Sequence, residues 1–181
     1  MLLWDKVDKD EIKVEFGTTE MTYIVKSLSE LEEHTQYIVR GKFRGDSVED
    51  FQCRPSGGIK YGCTITSFDV SQVIQGEDLK AGDVIKVGEE YYVDSKGVLQ
   101  TMFNYMPSET GKEYILFLSK KTNPKSRYYG MYAPINFEKG RYPVEPPANI
   151  DTASNRTLDL GSKSSDVYKS IYKDVIAKYL S

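Results

Sequence analysis

Four strand-like runs, three alternating and one apolar throughout, constrain what this chain can fold into more than any other feature it has. In Tyr37-Ile38-Val39-Arg40-Gly41-Lys42-Phe43, the residues Tyr37, Val39, Gly41 and Phe43 share one face, and Ile38, Arg40 and Lys42 share the other. One face reads as packed and the other as largely wet. Thr66-Ser67-Phe68-Asp69-Val70-Ser71-Gln72-Val73-Ile74 alternates in the same way until Val73 falls three residues after Val70. A β-bulge near Ser71-Gln72 restores the register and tightens the coil of the strand. Gly82-Asp83-Val84-Ile85-Lys86-Val87 follows after a short connection. Glu113-Tyr114-Ile115-Leu116-Phe117-Leu118 is apolar on both faces, as in a central strand covered on both sides. Strands this short, with a bulge and a glycine for bending, suit a small closed barrel. Its expected core is Tyr37, Val39, Phe43, Phe68, Val70, Ile85, Val87, Leu116 and Leu118.

The remaining segments decorate that barrel. Residues 1–26 read as an extension with one or two short strands, turning at Gly17-Thr18-Thr19. Ser27 followed by Glu30 is a capping box opening a short helix, with Leu28 and Leu31 toward the core. Residues 45–60 read as a loop, dense in turn chemistry at Arg54-Pro55-Ser56-Gly57-Gly58. Tyr91 to Val93 and Val98 to Met102 predict a hairpin, and Tyr128 to Tyr132 and Arg141 to Val144 predict closing strands. The organisation is then an extension (1–26), a barrel domain (27–145), a linker (146–163) and a terminal amphipathic helix (164–181). In that helix Tyr168, Ile171, Tyr172, Val175, Ile176 and Tyr179 form one stripe, capped by Ser164 or Ser165. The stripe is expected to dock on the barrel or on a second copy of the chain.

Charge and chemistry exclude several functions. A chain of 181 residues with net charge −3 lacks the basic stripe of a phosphate-backbone binder, so no nucleic-acid partner is expected. No run approaches the ~20 apolar residues of a membrane span. Met1-Leu2-Leu3-Trp4 is too short for a signal h-region, which leaves a cytoplasmic chain or one that begins after a removed export signal. Cys53 and Cys63 flank a turn-rich segment and are either a disulfide, contributing ~2–3 kcal/mol, or two free thiols. No metal site and no cofactor are expected, since two cysteines and one histidine cannot fill a zinc shell. His34, the one histidine, sits among Glu32, Glu33 and Thr35 and reads as a solvated helix face. Glu32-Glu33, Glu49-Asp50 and Glu89-Glu90 read as solvated charge rather than as a catalytic carboxylate pair.

The words Ile38-Val39-Arg40-Gly41-Lys42, Gln75-Gly76, Gly82-Asp83-Val84-Ile85-Lys86-Val87 and Tyr114-Ile115-Leu116-Phe117-Leu118 follow one another in an order that carries a resemblance. Over residues 27–145 the chain resembles a family of exported bacterial proteins of unknown function. It also looks like the OB-type barrel of netrin-like modules and tissue inhibitors of metalloproteinases. The resemblance implies an all-β dominated fold: a small OB-like antiparallel barrel with a short helix on its N-terminal side and a C-terminal amphipathic helix. It also implies an extracellular or cell-surface setting. Those inhibitors act through an amino-terminal cysteine that chelates a protease metal. No cysteine stands near the start here, so the inhibitory mechanism does not carry over.

The expected function is therefore a secreted, non-catalytic binding module with a protein or glycan partner. OB-type barrels bind on one face and its loops. The candidate ligand residues are Arg40, Lys42, Tyr91, Tyr92, Tyr128, Tyr129 and Tyr132, since aromatic platforms suit sugar rings. The alternatives are a cytoplasmic or phage-related structural scaffold and, further off, a hydrolase. A homo-oligomer formed through the C-terminal helix is a further expectation.

Overall fold

In the computed structural model the described residues are 7–53, 55–56 and 59–181, with only the backbone of Cys53, Ile59 and Lys60. The Arg54–Gly58 turn expected from the sequence lies in part outside them. The strands run β1 (Val14–Gly17), β2 (Tyr37–Phe43), β3 (Val48–Cys53), β4 (Ile59–Gln75), β5 (Val84–Glu89), β6 (Tyr91–Val93), β7 (Leu99–Met102), β8 (Glu113–Lys120), β9 (Tyr132–Pro134) and β10 (Arg141–Pro143). Helix α1 (Leu28–His34) precedes β2, and α2 (Asp166–Val175) closes the chain with a further π-helical turn, Ile176–Leu180.

Five strands form a closed barrel in the order β8-β2-β4-β5-β9, with β9 pairing back onto β8. The barrel is mixed rather than antiparallel throughout, because β5 and β9 run parallel through the pair Val87 and Tyr132. The bulge expected near Ser71-Gln72 is present. Arg40 pairs with Gln72 and Gly41 with Val70, which leaves Ser71 out of the ladder, and a second slip skips Ile74. At Gly41 a Cβ would collide with the Asp69 carbonyl and the Phe68 ring, so the sharp coil of β4 over β2 requires glycine there.

The interior holds Val39, Phe43, Phe68, Val70, Ile85, Val87, Tyr114, Leu116, Leu118 and Tyr132, with Tyr37 at its margin. This is the core that alternation predicts. The outer face of β2 departs from expectation. Ile38 is buried rather than wet, because it joins Ile115, Phe117 and Tyr142 in a second core beneath the helices. There α2 lays Tyr168, Ile171, Tyr172 and Val175 on the barrel's outer face. The Tyr168 hydroxyl donates to the Arg141 carbonyl at 2.8 Å, and that of Tyr172 to the Pro143 carbonyl at 2.5 Å. Ser165 stands at the N-cap without a side-chain bond, and Ser164 Oγ accepts weakly from Asp166 N at 3.4 Å. Ser27 caps α1 as expected, accepting from Glu30 N, while Glu30 returns to Lys26 N instead of to the cap residue.

One expectation is corrected. Residues 48–53, read as loop, form β3, which pairs with the first half of a β4 that spans 17 residues. The 146–163 linker, expected either to wrap the barrel or to run free, packs on it: Ile150, Leu158 and Leu160 are buried in the second core. A separate three-stranded sheet, β1-β7-β6, caps one side of the barrel. Its β1 runs parallel to β7, with Gly17 opposite Met102. Among the described residues no helix is long and apolar enough to cross a membrane.

Candidate functional site

A buried polar network fixes the small sheet to the barrel. Arg141, at the start of β10, is 0% exposed and Glu89, at the end of β5, is 2% exposed. Arg141 Nη1 reaches Glu89 Oε2 at 3.3 Å, the Met106 carbonyl at 2.7 Å and Ser108 Oγ at 2.9 Å. Nη2 donates to the Asp159 carbonyl at 2.7 Å. The Tyr105 hydroxyl and Ser108 Oγ both donate to Glu89 Oε2, and the guanidinium lies 4.3 Å from the Tyr105 ring centre. Asp159 in turn accepts from the Tyr114 hydroxyl at 2.7 Å and Lys112 Nζ at 2.9 Å. The Glu89-Glu90 pair therefore corrects the reading of solvated charge. Glu89 is a buried anchor, because a buried carboxylate needs a cation and donors, and Arg141 with Ser108 and Tyr105 supplies both.

On this brace stands a cleft of about 490 Å³. It opens between the β4 arm and the outer face of the small sheet. Tyr61, Tyr92 and Phe137 bring aromatic rings, Met102 a thioether, and Thr18, Thr19 and Gln100 polar groups. Strand register explains the assembly. Tyr92 lies opposite Gln100, and Gln100 opposite Glu15, so their side chains share the face that points away from the buried Tyr91 and Leu99. The Tyr92 ring packs on Gly62, where a Cβ would overlap it, and meets Phe51 edge-on at 5.4 Å. The Tyr61 hydroxyl donates to Glu90 Oε1 at 2.9 Å. Burial raises the pKa of Glu90, only partly countered by Tyr61 and the charge of Lys121. Burial likewise pushes Tyr61 well above its ordinary value.

A second cleft, of about 630 Å³, lies on the opposite face of the small sheet, against Ile12, Val14, Phe16, Met106 and Leu160. Its rim charges are already matched: Lys9 pairs with Glu109 at 3.5 Å, and Arg156 pairs with Asp10. The first cleft combines rings with hydroxyl, amide and carboxylate groups and is the better candidate.

The seven residues expected to bind ligand do not converge. Tyr92 alone lines the cleft. Tyr91 and Tyr132 are 3% and 5% exposed, and they serve as core because each faces inward on its strand. Arg40 is tied to Glu113 at 3.2 Å, and Lys42 lies exposed on β2, away from the cleft. Tyr128 is half-buried in a turn beside Arg127, which pairs with Asp50, and Tyr129 is exposed. Tyr61, Glu90, Gln100 and Phe137 escaped sequence reasoning. Only the aromatic doublet Tyr91-Tyr92 beside Glu90 could have pointed there.

The disulfide is also corrected. Cys63 is a free, buried thiol, with its pKa pushed up to about 11 by burial and by neighbouring Asp50. On the β3–β4 ladder Cys53 faces Ile59 and Cys63 faces Asp50. The strand from Ile59 to Cys63 covers about 13 Å at ~3.3 Å per residue, beyond the ~7 Å that a disulfide bridges. The side chain of Cys53 lies outside the described residues. His34 is exposed at the end of α1 and stacks on Tyr23 with ring centres 3.6 Å apart. Among the described residues no group of three or more His, Cys, Asp or Glu side chains is placed to hold a metal.

No protein-family model matches this chain, and no curated protein matches it. The barrel accordingly stands on the coordinates and not on kinship.

Proposed function

We propose that this chain is a non-catalytic binding module on an OB-like barrel, and that its partner is a glycan held in the Tyr61–Tyr92 cleft. The observation that carries the reading is the cleft itself, where three aromatic rings stand among threonine, glutamine and glutamate side chains. Aromatic faces suit the C–H faces of sugar rings, and the polar groups suit their hydroxyls. Strand order supports the OB-like reading. Taken in chain order, barrel strand one (β2) pairs with two (β4) and four (β8), and three (β5) runs parallel to five (β9). In OB barrels the face of strands two and three and its flanking loops take ligands, oligosaccharides among them. Here that corresponds to β4 and β5, whose continuations carry Tyr61 and Glu90. A setting outside the cytoplasm rests on the resemblance to exported bacterial proteins alone.

A protein partner is the second reading. It is favoured by β3, which among the described residues pairs only with β4 and exposes Val48 and Phe51. A glycan array followed by calorimetry tests the first reading. Tyr92→Ala is expected to weaken a glycan hit tenfold or more with the fold intact. Binding indifferent to Tyr92→Ala moves the site elsewhere, and release of a cleaved product by the purified chain removes the non-catalytic reading.

A further inference from the structure

The cleft has a sign. Among the described residues Glu90 is the one charged residue that lines it, and no described lysine or arginine does. The sheet face it shares adds two more carboxylates. Glu15 Oε2 and Asp94 Oδ2 both accept from the Gln100 amide, at 2.8 and 3.2 Å, with Lys13 3.8 Å from Glu15 and Lys96 near Asp94 offsetting part of their charge. The π faces of Tyr61, Tyr92 and Phe137 add negative potential above their rings. Lys121 acts on Glu90 from outside the lining and offsets only part of this. The Glu90 carboxylate is half-buried, with a phenol rather than a cation as its hydrogen-bond partner. An entering cation would meet a carboxylate already stripped of much of its hydration, among aromatic faces that attract it. An anionic ligand would meet repulsion, with no described cation in the lining to pair with it.

We infer that the cleft selects a sugar carrying a free amino group, whose ammonium sits against Glu90 and the rings of Tyr61 and Tyr92. This rests on the glycan reading above and sharpens it. The neighbouring groups favour a sugar over a lysine side chain. The Thr18 and Thr19 hydroxyls stand exposed at the mouth, where ring hydroxyls would meet them. The space of about 490 Å³ also exceeds what one alkyl chain fills.

Calorimetry of the full chain against three probes tests the inference: glucosamine oligomers, the same oligomers fully N-acetylated, and a short lysine peptide, each at low and physiological salt. Acetylation removes the charge and keeps the ring. The expected result is tenfold or tighter binding of the free-amine oligomer over the acetylated one. Glu90→Gln, checked for an unchanged melting temperature, should remove most of that preference. The wild-type comparison stands on its own should the variant fold poorly. Equal binding of both oligomers overturns the charge selection and leaves the glycan reading in place. Binding of neither oligomer, against a positive hit for another sugar on the array, also overturns it. Binding of neither, with no hit at all, overturns both. Preference for the lysine peptide at physiological salt overturns the sugar assignment.

Discussion

The barrel interior and the junction beneath the small sheet are both buried, yet they are held by opposite means. Inside the barrel the packing is mostly between apolar bodies such as Phe68, Leu116 and Val87, with the Tyr114 hydroxyl reaching out to Asp159. At the junction a charged side chain is fully buried: Arg141, surrounded by Glu89, Tyr105, Ser108 and two backbone carbonyls. An apolar core tolerates any packing of suitable volume, whereas a buried ion pair is costly unless each group finds its partner. The junction is thereby restricted to one geometry, and it is the junction that positions the cleft.

Four perturbations break or sharpen this contrast, in falling order of effect. Deleting residues 166–181 strips Tyr168, Ile171, Tyr172 and Val175 from the outer core. The expected result is loss of cooperative melting and soluble monomer; an unchanged melting curve would show that the outer core is dispensable. Next come two substitutions of similar cost and different character. Phe68→Ala should cost ~3–5 kcal/mol through its cavity. Arg141→Met should cost a like ~3–5 kcal/mol by stranding Glu89. They part in the double variant: adding Glu89→Gln to Arg141→Met should recover a good share of the loss, while adding it to Phe68→Ala should not. Urea unfolding reads all four, and no recovery would mean that the pair is not the junction's main tie.

The smallest effect concerns Glu138, in the turn before β10 and 8% exposed. Burial raises its pKa, so the folded chain holds this proton more tightly than the unfolded one. Its favourable contribution is complete below the unfolded carboxylate value, ~4.3, and is lost as pH rises through the folded one. Glu138→Gln should therefore raise the melting temperature at neutral pH by about 2–4 °C and have little effect at pH 4. A variant less stable at both values would reverse the sign.

Legibility followed the same division. Alternation exposed the barrel core because a period of two survives wherever one face is apolar, and even the bulge at Ser71 left its mark in the spacing of Val70 and Val73. Strand β3 was hidden by the turn-rich residues after it and by an acidic pair, Glu49-Asp50, set between Val48 and Phe51. The cleft was illegible for a different reason. Its parts come from residues 17–19, 61–62, 90, 92, 100–102 and 137, and they meet only because β1 runs parallel to β7 beside the β4 arm. Nothing local marks a long-range parallel pairing. Arg141 read as the start of a closing strand, which it is; its burial depends on Glu89, more than fifty residues earlier.

The central claim is that the tyrosines of the cleft bind and those of the two cores do not. Selective ¹³C labelling of tyrosine rings, with NMR spectra recorded during titration by glucosamine oligomers, tests it most directly. The account predicts that Tyr61 and Tyr92 shift progressively while Tyr114, Tyr142 and Tyr172 stay in place. Saturable shifts confined to other tyrosines, such as the exposed Tyr129, with Tyr61 and Tyr92 unmoved, would contradict it.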